Sequence, residues 1–203
     1  MQIVSVIQDA FQEYQNEHSL ILFSYGCNSD CYHCYNKETV TNPKNIIGSA
    51  IDVMEKHLTP MHTAVVFLGG EPTIHDKLLD TCWYVKNKLK LKTKIFTNGL
   101  LPDKVLEINA AGLCDAWSID FKCISTPIGV LGINISAGDY IANIHICVES
   151  CRKTNVPIEI RTTCLNSIND NQIGDIQKYI QIRYPKVPHI IQSEFFPNEN
   201  ISV

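Results

Sequence analysis

The chain has 203 residues, of which 45% are hydrophobic and 19% charged, and its formal net charge at pH 7 is −4. A globular chain of this size can bury a full core without disulfide or metal staples. No cluster of lysines and arginines stands out, so we expect no nucleic-acid partner. No apolar run approaches the ~20 residues that a membrane-spanning helix needs, so we expect no membrane partner.

Nine cysteines are many for an intracellular chain. The segment from Met1 to Ser5 has no basic residue and starts no long apolar run, so it does not resemble a secretory signal. We therefore expect a soluble, cytoplasmic protein whose thiols stay reduced. An odd number of cysteines also suits metal binding and buried thiols better than a disulfide framework.

Apolar runs alternate along the chain with amphipathic segments. The predicted strands are residues 19–26, 63–68, 92–96, 115–119, 157–162 and 189–192. The predicted helices are residues 43–57, 76–90, 102–110, 140–153 and 171–182. Gly112 stands where the C-cap of the third predicted helix is expected. Near-continuous apolar runs are typical of strands that are buried on both faces of a parallel sheet.

The alternation of strands and helices with short connections predicts right-handed βαβ units. Six strands are fewer than the eight of a closed barrel, so we predict an α/β fold that forms a partial, open β/α barrel of about six parallel strands. No repeat, low-complexity tract or linker divides the chain, and we expect a single domain over residues 1–203. Residues 122–136 have scattered glycines and prolines without a clear period, and they give no prediction.

A cysteine triplet follows the first predicted strand. Cys27, Cys31 and Cys34 have the spacing Cys-x3-Cys-x2-Cys, and we predict that they are metal ligands and catalytic residues. Three thiolates can hold three irons of a [4Fe-4S] cluster, which leaves the fourth iron open to a small molecule, by the same logic as the open position of a catalytic zinc. The alternatives are buried thiols, or a structural zinc whose fourth ligand is His33 or a distant residue.

With this triplet the sequence resembles the radical S-adenosylmethionine (SAM) superfamily, whose hallmark is Cys-x3-Cys-x-aromatic-Cys; His33 takes the aromatic position. Residues 67–72 read Phe-Leu-Gly-Gly-Glu-Pro and match the Gly-Gly-Glu-Pro motif of that family. The resemblance implies a [4Fe-4S] cluster and SAM as cofactors. It also implies that the SAM amino group is held by the motif, which here is Gly69, Gly70, Glu71 and Pro72. A plain strand-to-helix turn is the alternative.

Glycines in such a motif let the backbone approach a ligand closely. We therefore expect Gly70→Val to block SAM binding and to leave the cluster intact.

Three further strand ends resemble those of glycyl-radical activases. Thr97 and Asn98 precede a glycine at the end of the third strand, Asp120 and Lys122 end the fourth, and Arg161 ends the fifth. Chemistry in barrels is placed at the carboxyl ends of strands, and the resemblance implies that these residues contact SAM. An Arg guanidinium suits the SAM carboxylate. Residues two apart on a strand share a face, so a structural ion pair between Asp120 and Lys122 is equally consistent with the pattern.

Within the superfamily the sequence is most similar to the anaerobic ribonucleoside-triphosphate reductase activating proteins. The likeness covers roughly residues 5–165 and includes Phe-Ser-Tyr-Gly-Cys-Asn at 23–28 and Cys-Tyr-Asn at 34–36. It implies that SAM is cleaved reductively and that a radical is placed on a backbone glycine of the anaerobic ribonucleotide reductase, with a flavodoxin-like or other low-potential reductant. Residues 122–136 and 164–167 depart from the pattern, and Phe195 to Pro197 match its C-terminal strand only faintly.

Two other functions remain open. A radical SAM enzyme that acts on a small molecule, as in the similarly short 7-carboxy-7-deazaguanine synthase family, shares both motifs, but the Gln-Gly-Glu-Gly opening of that family is absent here. A zinc-binding interaction module would use the same cysteines without needing Gly-Gly-Glu-Pro. Among the other cysteines, an auxiliary cluster on Cys123, Cys147 and Cys151 is conceivable, although buried thiols are the commoner arrangement. The histidines show no metal-ligand spacing.

Overall fold

The computed structural model describes residues 1–32, 34–164 and 170–192, which form one eight-stranded sheet with helices. The strands are β1 (Gln2–Ala10), β2 (Ser19–Ser24), β3 (Gly48–Ser49), β4 (Ala64–Gly69), β5 (Lys92–Thr97), β6 (Ala116–Asp120), β7 (Ile158–Thr163) and β8 (His189–Gln192). The helices are α1 (Lys37–Thr41), α2 (Ala50–His57), α3 (Leu78–Tyr84), α4 (Pro102–Ala110), α5 (Pro127–Leu131), α6 (Ala137–Thr154) and α7 (Asp170–Arg183).

Six strands of the sheet are parallel and lie in the order β2-β4-β5-β6-β7-β8. β1 pairs antiparallel with β2, and the two-residue β3 pairs antiparallel with β1. Within the described ranges β3 and β8 are the two edges, so the sheet does not close on itself. The prediction of an open α/β barrel with about six parallel strands is confirmed, whereas the two antiparallel strands were not predicted.

Both faces of the central strands are buried, because successive side chains of a strand point to opposite faces. Leu20 and Leu22 pack in the main core, which the helices cover. Ile21 packs on the other, concave face against Val66 and Ala10. Each such side chain contributes about 1.5–3 kcal/mol when it is fully buried. The helices therefore cover one face, and the other face lines the interior of the partial barrel.

The helix predicted over residues 43–57 is shorter than expected, since α2 begins at Ala50. The preceding segment is drawn to the sheet: the Ile47 N–H donates to the Ile3 carbonyl at 2.8 Å, and β3 follows. The Ser49 hydroxyl then caps α2 by accepting the Asp52 N–H at 3.3 Å. Pairing with β1 overrides the helical period of this segment.

The end of α4 confirms the C-cap predicted at Gly112. This residue has φ +64°, and its N–H donates to the Asn109 carbonyl at 3.0 Å. The Leu113 N–H reaches the Ile108 carbonyl at 3.1 Å, which completes a Schellman motif. The helix predicted over 76–90 is also present, as α3 followed by one π-helical turn over Val85–Leu89.

The segment 122–136, which gave no prediction, contains the five-residue helix α5. It ends at Gly132, where φ is +67°. The longest described helix is α6, with 18 residues and charged side chains in its first and last turns. None of the helices in the described ranges has both the length and the apolar character needed to cross a membrane.

Candidate active site

The cysteine loop and the carboxyl ends of β4, β5, β6 and β7 surround a cavity of about 360 Å³. The predicted site residues in its wall are Cys27, Cys31, Cys34, Gly69, Gly70, Glu71, Thr97, Asn98, Asp120, Lys122 and Arg161. Pro72 is buried at the start of a 3-10 turn behind this wall and does not line the cavity. His33 lies outside the described residues. Residues 165–167 and 195–197, which depart from or only faintly match the pattern of the reductase activating proteins, also lie outside them.

The cysteine loop turns away from β2 at Gly26, where φ is +83°. Backbone hydrogen bonds fix it to α5: the Asp30 N–H donates to the Leu131 carbonyl at 2.9 Å, and the Tyr32 N–H donates to Val130 at 3.3 Å. The Ser29 hydroxyl adds a bond to Leu131 at 2.9 Å. The segment with no clear sequence pattern therefore supports the loop that carries the cysteines.

The three cysteines of the loop are free thiols, with Cys27 exposed and the other two partly buried. Although Cys27 as a whole residue is exposed, its thiol is largely surrounded by protein, and this burial raises the pKa of Cys27 to about 11. Burial also raises the pKa of Cys34. Metal ligands must be thiolates, so loading a cluster here releases protons, and metal–sulfur bonding must supply the free energy that deprotonates these groups.

The two glycines of the Gly-Gly-Glu-Pro segment are required by the chain itself. A Cβ on Gly69, which has φ +102°, would lie 2.7 Å from the Phe23 Cα. A Cβ on Gly70 would lie 1.9 Å from the Gly26 carbonyl oxygen. This geometry argues against the expectation that Gly70→Val spares the cluster, because any side chain at this position collides with the backbone that leads into Cys27.

Glu71 connects the ends of β4 and β5. Its buried carboxylate accepts hydrogen bonds from the Thr73 N–H at 3.0 Å, the Thr73 hydroxyl at 2.6 Å, the Thr97 hydroxyl at 2.9 Å and the Asn98 N–H at 2.7 Å. Burial raises the pKa of the Glu71 carboxyl, and these four donors act in the opposite direction. A carboxylate can accept about four hydrogen bonds, and four protein donors already use this capacity. The geometry therefore indicates that Glu71 supports the wall of the cavity and does not bind a ligand itself.

Asn98 continues this network to the cysteine loop. Its side-chain N–H donates to the side-chain Oδ1 of Asn28 at 2.8 Å and lies 4.0 Å from the Cys27 Sγ. Its Oδ1 accepts the Leu100 N–H at 3.0 Å. The sequence pattern found Asn98 but gave no role to Asn28, whose position directly after Cys27 was the available signal.

Asp120 and Lys122 form the ion pair that their spacing allowed, with Nζ to Oδ2 at 3.0 Å. The same ammonium lies 3.8 Å from the Cys31 Sγ. Burial lowers the pKa of Lys122, but Asp120 and Cys31 outweigh it and hold that pKa well above its ordinary value. The Tyr140 hydroxyl donates to the Asp120 carbonyl at 3.2 Å and accepts the Lys122 N–H at 3.1 Å. Sequence reasoning missed Tyr140, which lies on α6, because nothing in the sequence links it to β6.

Arg161 lies on β7 directly beside Asp120 in the register of the sheet. Its guanidinium carbon is 5.0 Å from the centre of the Phe96 ring, and its nearest carboxylate, on Glu159, is 3.8 Å from Nε. This Nε is buried and has no hydrogen-bond partner in the part of the chain that the structure describes. A buried donor without a partner costs about 1–3 kcal/mol, which an anionic ligand in the cavity would recover.

Five other cysteines are buried, and all five lie in the main core: Cys82, Cys114, Cys123, Cys147 and Cys151. Burial raises the pKa of Cys123 to about 12 and that of Cys151 to about 11. The Asn109 side chain donates to the Cys151 Sγ at 3.5 Å. These are the surroundings of structural thiols, not of an auxiliary cluster.

One group of potential metal ligands lies away from the cavity. Ligand atoms of Asp9, His18 and His62 come within 4.8 Å of one another. However, the His62 Nδ1 accepts the Thr59 N–H at 2.9 Å, and its Nε2 lies 2.5 Å from the Gln8 carbonyl oxygen, to which it donates. Both ring nitrogens are thus committed to the backbone, and we assign no metal to this group.

Comparison with known proteins places this geometry in a family, since the radical SAM superfamily matches residues 21–180. The chain belongs to the radical SAM superfamily. A Methanocaldococcus jannaschii protein that is described as a candidate glycyl-radical enzyme activating enzyme is 31% identical over 173 residues, which are 83% of this chain and 71% of that protein.

Solved structures share the radical SAM fold. The enzyme anSMEcpe with bound AdoMet and the Kp18Cys peptide matches with a TM-score of 0.61 and 17% identity, over 88% of this chain and 52% of its own. Streptococcus suis SuiB bound to S-adenosylmethionine matches with a TM-score of 0.62 and 16% identity, over 88% of this chain and 41% of its own. At these identities the likeness shows the fold, and the chain spans about half the length of these structures or less.

The site fits the [4Fe-4S] cluster and SAM that the family implies. Cys27, Cys31 and Cys34 offer three soft ligands to one cavity, which matches the preference of iron–sulfur clusters for thiolates. Arg161 also lines this cavity, and its guanidinium group suits a carboxylate.

Proposed function

We propose that this radical SAM enzyme is a glycyl-radical enzyme activase, and that its target is an anaerobic ribonucleotide reductase. The observation that carries the proposal is the 31% identity, over most of both chains, to the M. jannaschii protein described as a candidate activase. The likeness of the cysteine loop and of the three strand ends to reductase activating proteins supports the choice of target. A flavodoxin-like or other low-potential protein would supply the electron.

The size of the cavity supports a protein substrate. Its volume of about 360 Å³ is near the lower end of the range of about 300–1,000 Å³ in which pockets hold one small ligand. SAM beside the cluster would occupy this space and leave little for a second metabolite. The described sheet is open along its β8 edge, so a glycine-bearing segment of a large partner could approach from outside the barrel.

The chain's own residues would bind, orient and shield the reactants. When bound, the cluster and SAM supply the reductive cleavage that yields a 5′-deoxyadenosyl radical. Cys27, Cys31 and Cys34 would hold the cluster, and Arg161 would hold the SAM carboxylate. Phe23 and Phe96 form part of the apolar inner wall, which would keep water away from the reacting carbon.

The test is the dependence of 5′-deoxyadenosine formation on the partner. The reconstituted enzyme is incubated anaerobically with SAM, dithionite and the reductase of its own organism, and the nucleoside is quantified. We expect the reductase to stimulate its formation, and a reductase whose radical-bearing glycine is replaced by alanine to stimulate it much less. Stimulation by a purine-like metabolite in place of the reductase would instead identify a small-molecule enzyme of the 7-carboxy-7-deazaguanine synthase kind.

A further inference from the structure

Lys122 lies between an acidic partner and a cluster ligand. Its Nζ is 3.0 Å from the Asp120 Oδ2 and 3.8 Å from the Cys31 Sγ. Sulfur is a large atom, so the second distance still allows an N–H···S contact. Lys122 and Arg161 are the lysine and the arginine among the predicted site residues, and in the described chain Lys122 is the one that contacts a cysteine of the triplet.

The backbone holds this ammonium in place. Asp120 is the last residue of β6 and pairs with Arg161 in the sheet, and the Phe121 N–H donates to the Arg161 carbonyl at 2.8 Å. The Tyr140 hydroxyl holds the backbone between Asp120 and Lys122 through its hydrogen bonds to the Asp120 carbonyl and the Lys122 N–H. The Lys122 side chain is 20% exposed, so water screens its charge only in part.

We propose that Lys122 is a positioning residue that acts through Cys31 and raises the reduction potential of the cluster. Reduction adds one negative charge to the cluster, and a fixed cation beside a ligand sulfur stabilises the reduced state relative to the oxidised one. Asp120 has the opposite effect because its charge is negative. This inference rests on the cluster that the family implies and not on the identity of the radical target.

Asn98 gives the neutral counterpart of this contact. Its side-chain N–H lies 4.0 Å from the Cys27 Sγ and is already bonded to Asn28. A hydrogen bond from a charged donor is roughly twice as strong as one between neutral groups. We therefore expect the charged contact at Cys31 to shift the potential more than the neutral contact at Cys27.

The experiment is a redox titration of the reconstituted holoprotein, followed by the electron paramagnetic resonance signal of the reduced cluster, without SAM and without any partner protein. For Lys122→Met we expect the reduction equilibrium to fall at least tenfold, a potential more negative by about 59 mV for one electron. Lys122→Arg should keep most of the wild-type potential. Asp120→Asn should shift the potential in the positive direction.

Lys94→Met is the matched control. Lys94 is also a largely buried lysine on a strand, paired with Glu159 at 2.9 Å, and in the described structure it contacts aromatic rings and no cysteine. Its replacement should leave the potential unchanged.

Equal potentials in wild type and Lys122→Met, at equal iron content, would overturn the proposal, and so would shifts of the same sign in Lys122→Met and Asp120→Asn. If Lys122→Met fails to hold a cluster, Lys122→Gln decides at equal iron content: a potential more negative than that of Lys122→Arg supports the proposal, and equal potentials in these two variants overturn it. Because SAM and the reductase are absent, this result does not depend on the proposed activase function.

Discussion

At the scale of single residues, we propose that three thiols bind the cluster, and their neighbours hold the loop on which they lie. Asn98 reaches Asn28 in that loop, and Glu71 holds Asn98 through its backbone N–H. Gly70 lets the strand end lie against Gly26, next to the first cysteine. Substitutions at these positions should show which residues bind the cluster and which only hold the cysteine loop in place.

Replacing Cys27, Cys31 or Cys34 by alanine should abolish the four-iron cluster, because each thiolate would bind a separate iron. Iron and sulfide content after anaerobic reconstitution, together with the absorbance spectrum, measures this. Cys82→Ala and Cys114→Ala are the controls, since both thiols lie in the main core, and they should keep the iron. Zinc in place of iron in the wild-type protein would contradict the assignment.

Gly70→Ala should reduce cluster loading as well as SAM binding. Its methyl group would meet the Gly26 carbonyl oxygen at 1.9 Å, so the cysteine loop must move. Gly129→Ala is the control, because a Cβ there meets nothing within 4 Å and the residue lies in α5. Iron content compared between the two variants is the measurement; full iron in Gly70→Ala would mean that the loop adapts without losing its ligand geometry.

Arg161→Ala should weaken SAM binding to the cluster-loaded enzyme by roughly 1.5–3 kcal/mol, the value of a hydrogen bond to a charged group. Equilibrium dialysis with labelled SAM measures the dissociation constant. Arg152→Ala removes an arginine that pairs with Glu149 on α6 and should leave the constant unchanged. Equal affinity in both variants would place the SAM carboxylate elsewhere in the cavity.

At the scale of elements, the short helix α5 and the cysteine loop depend on each other. Gly132 ends the helix with φ +67°, and a Cβ on it would lie 2.1 Å from the Asp30 carbonyl oxygen. Val130 and Leu131 accept backbone hydrogen bonds from the loop. The position of the cysteines is therefore set by a segment about a hundred residues further along the chain.

Gly132→Ala and Gly112→Ala form a matched pair that tests this dependence. Both glycines end a helix with a left-handed φ, so both substitutions cost about 1 kcal/mol of backbone strain. Only the first also collides with the cysteine loop, whereas the Cβ at Gly112 meets nothing within 4 Å. Thermal unfolding should show a larger loss of stability in Gly132→Ala than in Gly112→Ala because of this collision, and iron content should fall in Gly132→Ala alone. Equal iron in the two variants would show that α5 does not position the loop.

The sequence predicted the six parallel strands because buried strands need apolar side chains on both faces, as Leu20, Ile21 and Leu22 show. It missed β1, which has several exposed positions, and β3, which has only two residues. It also missed α5, which is too short to show a helical period. Similarly, the strand ends predicted residues that line the cavity, but the Lys122–Cys31 contact depends on tertiary geometry that no local pattern contains.

At the scale of the whole molecule, the helices cover one face of an open sheet, and the cavity lies at the carboxyl ends of its strands. This arrangement suits a site that is completed by a second protein, because the described chain surrounds space for about one small ligand. We propose that this second protein receives the radical on a backbone glycine.

The most direct test of that claim is electron paramagnetic resonance of the reductase after anaerobic incubation with the reconstituted enzyme, SAM and a low-potential reductant. We expect an organic radical on the reductase, split into a doublet by the glycine α-hydrogen, and this splitting should collapse when the reductase is made with α-deuterated glycine. We expect no signal when Cys31→Ala replaces the wild-type enzyme. A wild-type enzyme that cleaves SAM under these conditions and leaves no glycine-derived radical on the reductase would contradict the proposal.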